Sequence, residues 1–85
     1  MLEKYELFVE RSAGEQIKRL RGKRRKAVFD FFDLLSTDPF INGGIHFEDH
    51  KGRLLQKVTV LGLVITFHVD HALREIKILT VRLID

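Results

Sequence analysis

Along residues 5–10 the apolar side chains of Tyr5, Leu7 and Val9 fall on one side of an extended chain, which predicts a first strand. From Ser12 the period lengthens. Ala13, Ile17 and Leu20 recur at helical spacing, and Ser12 with Glu15 three residues on has the pattern of a capping box. A short helix is therefore predicted over about Ala13 to Arg21, with Gly22 as its stop because glycine accepts the left-handed conformation that ends many helices. A second helix is predicted over roughly Lys23 to Ser36. Its solvent stripe is Lys26, Asp30 and Asp33, and almost everything else from Ala27 to Leu35 is apolar. Phe29, Phe31 and Phe32 are accordingly expected in a core. Thr37-Asp38-Pro39 closes the helix, since the residue before a proline is steered out of the helical region.

From Phe40 to Arg53 the pattern is turn-rich, with Asn42-Gly43-Gly44 and Lys51-Gly52. Beyond it Leu54 to Val60, Leu63 to Asp70 and Glu75 to Ile84 read as strands separated by Leu61-Gly62 and by His71-Ala72-Leu73-Arg74. Such short connections imply two successive hairpins. The predicted order is β-α-α-β-β-β, an α+β domain in which a helical hairpin covers one face of an antiparallel sheet. Strand alternation then assigns faces. Leu63, Ile65, Phe67 and Val69 point to the core, with Val58, Val60, Leu79, Val81 and Leu83. Lys57, Thr59, Val64, Thr66, His68, Asp70, Ile78, Thr80, Arg82 and Ile84 point away from it.

Composition bounds this picture. The 85 residues make one domain, residues 1–85, with no room for a second core. There is no cysteine, which removes disulfides, thiolate metal sites and a thiol nucleophile. The opening residues carry acids and no apolar stretch of a signal peptide, and no run approaches the length of a bilayer span, so a cytoplasmic protein without membrane contact is expected. Net charge is +3, but its distribution matters more. Seven of the nine positions from 18 to 26 are basic: Lys18, Arg19, Arg21, Lys23, Arg24, Arg25 and Lys26. A cluster of that kind attracts phosphate backbones or an acidic protein, and equally forms a solvated helix face. With Arg53 these residues are the candidate nucleic-acid-binding set.

The outward sheet face is the candidate for chemistry. Lysine and arginine bind phosphate, and a histidine can exchange a proton near neutrality. Lys57, His68 and Arg82 thus offer the cation, base and acid that a metal-free ribonuclease needs. An exposed sheet face is also ordinarily rich in threonine and lysine. His46 and His50 are four apart but in an extended, glycine-rich region with no third ligand placed, so no metal or cofactor is expected. The corner His68-Val69-Asp70-His71 reads either as surface or as site. No P-loop, dinucleotide fingerprint or nucleophile elbow is present.

With this order of elements, several segments resemble the RelE/ParE toxin superfamily across nearly the whole chain. They are Tyr5 to Ala13 with Ile17 and Leu20, Leu34-Leu35-Ser36-Thr37-Asp38-Pro39, Leu55 to Asp70, and Ile78-Leu79-Thr80-Val81-Arg82. The resemblance implies a RelE-like fold and a toxin of a type II toxin–antitoxin or plasmid stabilisation system, neutralised by a cognate acidic antitoxin. One branch cleaves mRNA on the ribosome without a metal, so a ribosome-dependent mRNA endoribonuclease that inhibits translation is the leading expectation. The ParE branch poisons DNA gyrase, so a gyrase inhibitor or a degenerate antitoxin-binding module is the alternative. By resemblance Arg82 takes the basic position of the last strand and Lys57 lies near a charged position of the second strand. Leu63 and Val64 stand where a Tyr-Arg pair is frequent, and Thr59 where an arginine is.

Overall fold

The computed structural model describes residues 4–40 and 45–84. Its elements are β1 (Glu6–Val9), α1 (Arg11–Lys18), α2 (Gly22–Thr37), β2 (Ile45–Glu48), β3 (Leu54–Val60), β4 (Leu63–Asp70) and β5 (Glu75–Leu83). The strands form one sheet in the order β1-β5-β4-β3-β2, antiparallel except for β1, which runs parallel to β5. The expected α+β layering of two helices on an antiparallel sheet is present, with the β1–β5 pairing as the parallel exception. One strand is additional. Ile45–Glu48 lies in the segment read as turns, where it pairs with β3. Its alternation is sound, but four residues between a glycine pair and an aspartate turn are too short to stand out. The expected Asn42-Gly43-Gly44 turn lies outside the described residues.

α1 lies along β5, and α2 packs on β3 and β1. Between helices and sheet sit Ala13, Ile17, Val28, Phe32, Leu35, Leu63, Ile65, Phe67, Ile76, Ile78 and Val81, all buried. Phe31 closes on Phe67 edge to face, an arrangement that favours the two rings' quadrupoles. Phe29 departs from the expected core. It is 42% exposed, with the Arg25 guanidinium 5.1 Å above its ring. The second helix therefore has fewer buried faces than its apolar run implied.

The helix ends also differ from expectation, and each difference has a visible cause. α1 begins before Ser12, whose hydroxyl donates instead to the Leu79 carbonyl and fastens the helix to β5. α1 stops at Lys18, where the amides of Arg19 and Leu20 turn back to the carbonyls of Gln16 and Ile17. Gly22, expected to end α1, opens α2 with φ +59°. α2 ends as foreseen before Pro39, with the Thr37 hydroxyl donating to the carbonyls of Asp33 and Leu34.

Register on β5 decides which residues share the outward face. Phe67 pairs with Ile78 but Thr66 with Thr80, so Leu79 is an extra residue, a β-bulge. Ile78, expected outward, is fully buried, and Leu79, expected inward, lies on the open face. Past the bulge the alternation returns to the expected phase. Val81 points to the core and Thr80 and Arg82 outward.

Candidate functional site

The open sheet face is concave. Four strands contribute to a cleft of about 280 Å³. Its polar walls are Lys57, Thr66, Thr80 and Arg82; its apolar walls are Phe47, Leu55, Val64 and Leu79. Lys57 pairs with Thr66, and Thr66 with Thr80, so these three stand in a row across β3, β4 and β5. Arg82 is two residues further along β5. With strands about 4.8 Å apart and a rise of about 3.4 Å per residue, Lys57 and Arg82 stand roughly 12 Å apart at Cα. Long cationic side chains at that separation can close on one anion from both sides. Neither makes a hydrogen bond or ion pair among the described residues; the Lys57 ammonium rests 5.0 Å from the centre of the Phe47 ring.

Lys57 and Arg82, picked out from the sequence, are thus brought together. His68 is on the same face but does not line the cleft. Its Nδ1 lies 2.9 Å from the Leu54 carbonyl. A carbonyl can only accept, so Nδ1 carries the hydrogen and Nε2 is the basic nitrogen of the neutral ring. The rest of the corner is engaged in the fold. Asp70 accepts the Leu73 amide across the β4–β5 turn. His71 stacks on Phe40 with centroids 4.6 Å apart and bonds through Nδ1 to the Tyr5 hydroxyl at 3.0 Å.

The basic cluster divides. Arg21 donates to the carbonyls of Lys18 and Leu20, and Arg25 to that of Ile17, which also accepts the Leu20 amide, so both guanidiniums fasten the end of α1. Arg24 donates to Leu61 in the β3–β4 turn, and Lys26 pairs with Asp30 at 2.7 Å. That exposed pair raises the Lys26 pKa through the hydrogen bond and charge of Asp30. The side chains of Lys18, Arg19 and Lys23 form no hydrogen bond or ion pair among the described residues. Arg53 is committed as well. It bonds Asp49 at 2.9 Å within the β2–β3 hairpin.

Arg19, Arg21 and Arg24 also rim a second cleft, about 380 Å³, floored by Leu20, Leu63, Val81 and Leu83. A smaller hollow of about 130 Å³ adjoins both. It shares Gln16 and Val81 with the basic-rimmed cleft and Thr80 and Arg82 with the open-face cleft. A concave track therefore runs from the open face past Arg82 to the helix junction.

Sequence reasoning missed Phe47, Leu55 and Leu79 as cleft residues. Phe47 fell in the segment read as turns. Leu55 was given no face, although its place two residues before Lys57 marked it. For Leu79 the signal was the adjacent pair Ile78-Leu79, since two large apolar residues in a row interrupt strict alternation and suggest a bulge.

Two helices on an open five-stranded sheet form an arrangement that solved structures share. The chain has a RelE-like fold. It is similar to a chain of the archaeal RelE–RelB complex from Pyrococcus horikoshii OT3 at 17% identity, with 94% of each chain covered and a TM-score of 0.80. A chain of the RelBE2 toxin–antitoxin complex from Mycobacterium tuberculosis is 18% identical, with 98% of this chain and 94% of that one covered and a TM-score of 0.77. The isolated RelE toxin of E. coli is 15% identical, with 95% and 85% covered and a TM-score of 0.76. No family model and no curated protein matches the chain.

Proposed function

We propose that this protein is the toxin of a type II toxin–antitoxin pair and that its open sheet face binds mRNA for metal-independent cleavage on the ribosome. The observation that carries this reading is the cleft of Lys57, Thr66, Thr80 and Arg82 on the uncovered face of a RelE-like fold. Phosphoryl chemistry on RNA needs a site that receives a dianionic phosphorane, and two converging cations with two hydroxyls supply it. The 2′-oxygen attacks phosphorus, its proton passes to a base, and the departing 5′-oxygen takes a proton from an acid. Lys57 and Arg82 hold the phosphate. His68, on the same face with its basic Nε2, is the proton carrier in this reading.

The partner in this reading is an acidic antitoxin. The cleft rimmed by Arg19, Arg21 and Arg24 over an apolar floor suits an acidic amphipathic segment, since charge complementarity orients such a segment and apolar burial holds it. A second reading has its own observation. Among the described residues, no imidazole or carboxylate lines the open-face cleft. A face that binds without cleaving, as in a gyrase-directed toxin or an antitoxin-binding module, follows from that.

Expression without a partner, followed by mapping of transcript ends, separates the two. Cleavage within translated mRNA is expected, and Arg82→Ala and Lys57→Ala should each lower it about 100-fold or more with the fold intact. Growth arrest with intact transcripts and inhibited supercoiling would instead establish the gyrase reading. No arrest at all would remove the toxin reading.

A further inference from the structure

Among the described residues one aromatic ring lines the open-face cleft, and neither the polar row nor the proton carrier accounts for it. Phe47 comes from β2, the edge strand beyond β3, where it pairs with Leu55. It stands on the wall of the cleft opposite Arg82, with β3 and β4 between. The ring is half-buried, so its position is held while part of it faces the cleft. Its present neighbour is the Lys57 ammonium, 5.0 Å from the ring centre.

We propose that Phe47 is the base-stacking wall of this cleft and that it and Lys57 exchange partners when a nucleotide of single-stranded RNA enters. The ammonium leaves the ring for the phosphate that Arg82 approaches from the other side. The nucleobase takes the place of the ammonium on the ring. This deepens the reading of the open face as an RNA site and rests on it.

Three features point to a nucleotide as the occupant. Cations and hydroxyls on one side of the cleft with an aromatic face on the other match the division of a nucleotide into phosphate and base. An acidic peptide would use the cations and leave the ring without a planar partner. Cleft size agrees too, because about 280 Å³ is at the small end of ligand clefts and admits one unstacked nucleotide rather than a duplex. The exchange is also physically easy. A cation held over a ring at an exposed site is weakly bound, and phosphate is its stronger partner.

The test uses the whole chain and a short 2′-O-methyl oligoribonucleotide, which cannot be cut, beside the same oligonucleotide made abasic. Phe47→Ala should weaken binding of the base-containing probe roughly ten-fold and leave the abasic probe unchanged. Because the chain has no tryptophan, Phe47→Trp places a single indole on the cleft wall. This variant should bind like the parent, and its emission should be quenched by the base-containing probe but not by the abasic probe or inorganic phosphate. Equal loss on both probes, or unquenched emission at saturation, overturns the stacking role. Arg82→Ala weakening both probes while Phe47→Ala weakens neither would leave the RNA reading standing and remove the stacking. Parent protein that binds neither probe, or an acidic peptide that binds with the same dependence on Phe47, removes both.

Discussion

Arg25 and Arg82 carry the same guanidinium into two different situations. At the helix junction, Arg21, Arg24 and Arg25 reach main-chain carbonyls at 2.8 to 3.2 Å. On the open face the side chains of Lys57 and Arg82 make no hydrogen bond or ion pair among the described residues, and hydroxyls and apolar walls line the cleft beside them. The first set is tied to main-chain carbonyls at the end of α1 and in the β3–β4 turn. The second is unpaired charge that attracts an anion. Basic residues therefore sort by partner, and density of charge along the chain does not reveal the sorting. The run at 18–26 is the more conspicuous in sequence, yet several of its members are tied into the fold.

This contrast can be broken most sharply on the open face. Arg82→Ala or Lys57→Ala should abolish most RNA-directed activity while the melting temperature stays unchanged. A large drop in stability would mean that these cations are structural after all. Next in size is the β3–β4 turn to which Arg24 docks. Leu61 and Gly62 both have positive φ there, +46° and +79°, as a tight two-residue hairpin requires. Gly62→Ala places a Cβ in that conformation and should cost about 1.5 kcal/mol in urea unfolding, without changing RNA binding. Arg25→Ala removes the bond to the Ile17 carbonyl and the contact with Phe29, and should cost about 1 kcal/mol. If it weakens RNA binding as much as Arg82→Ala does, the two basic regions are not distinct.

The smallest effect is conditional on pH. Asp49 is covered, which alone would raise its pKa, but the amides of Arg53 and Lys51 and the Arg53 guanidinium donate to it and hold it below the usual carboxylate value. A carboxyl depressed in the fold adds stability that is complete above the ordinary carboxylate range and is lost as pH falls through its folded value. Asp49→Asn should therefore be less stable than the parent near neutrality, with the gap closing in acid. A gap independent of pH would show that the charge of Asp49 contributes nothing.

Much of this was legible along the chain. Period-2 alternation marked β3 and β4, helical spacing marked both helices, and Pro39 marked the end of α2, because each depends on neighbours a few residues away. Lys57, Thr66, Thr80 and Arg82 were placed on one face for the same reason. What needed the tertiary structure was contact between residues distant in sequence. The Leu79 bulge arises where β5 meets β4, so the inward place of Ile78 could not come from β5 alone. Short β2 exists by pairing with β3, and it brings Phe47 to the cleft. Ser12 left its helix-capping pattern for a carbonyl 67 residues away. The basic run at 18–26 was visible as charge, but which arginines are bound and which cations are free was decided by where the carbonyls of α1 and the β3–β4 turn came to lie.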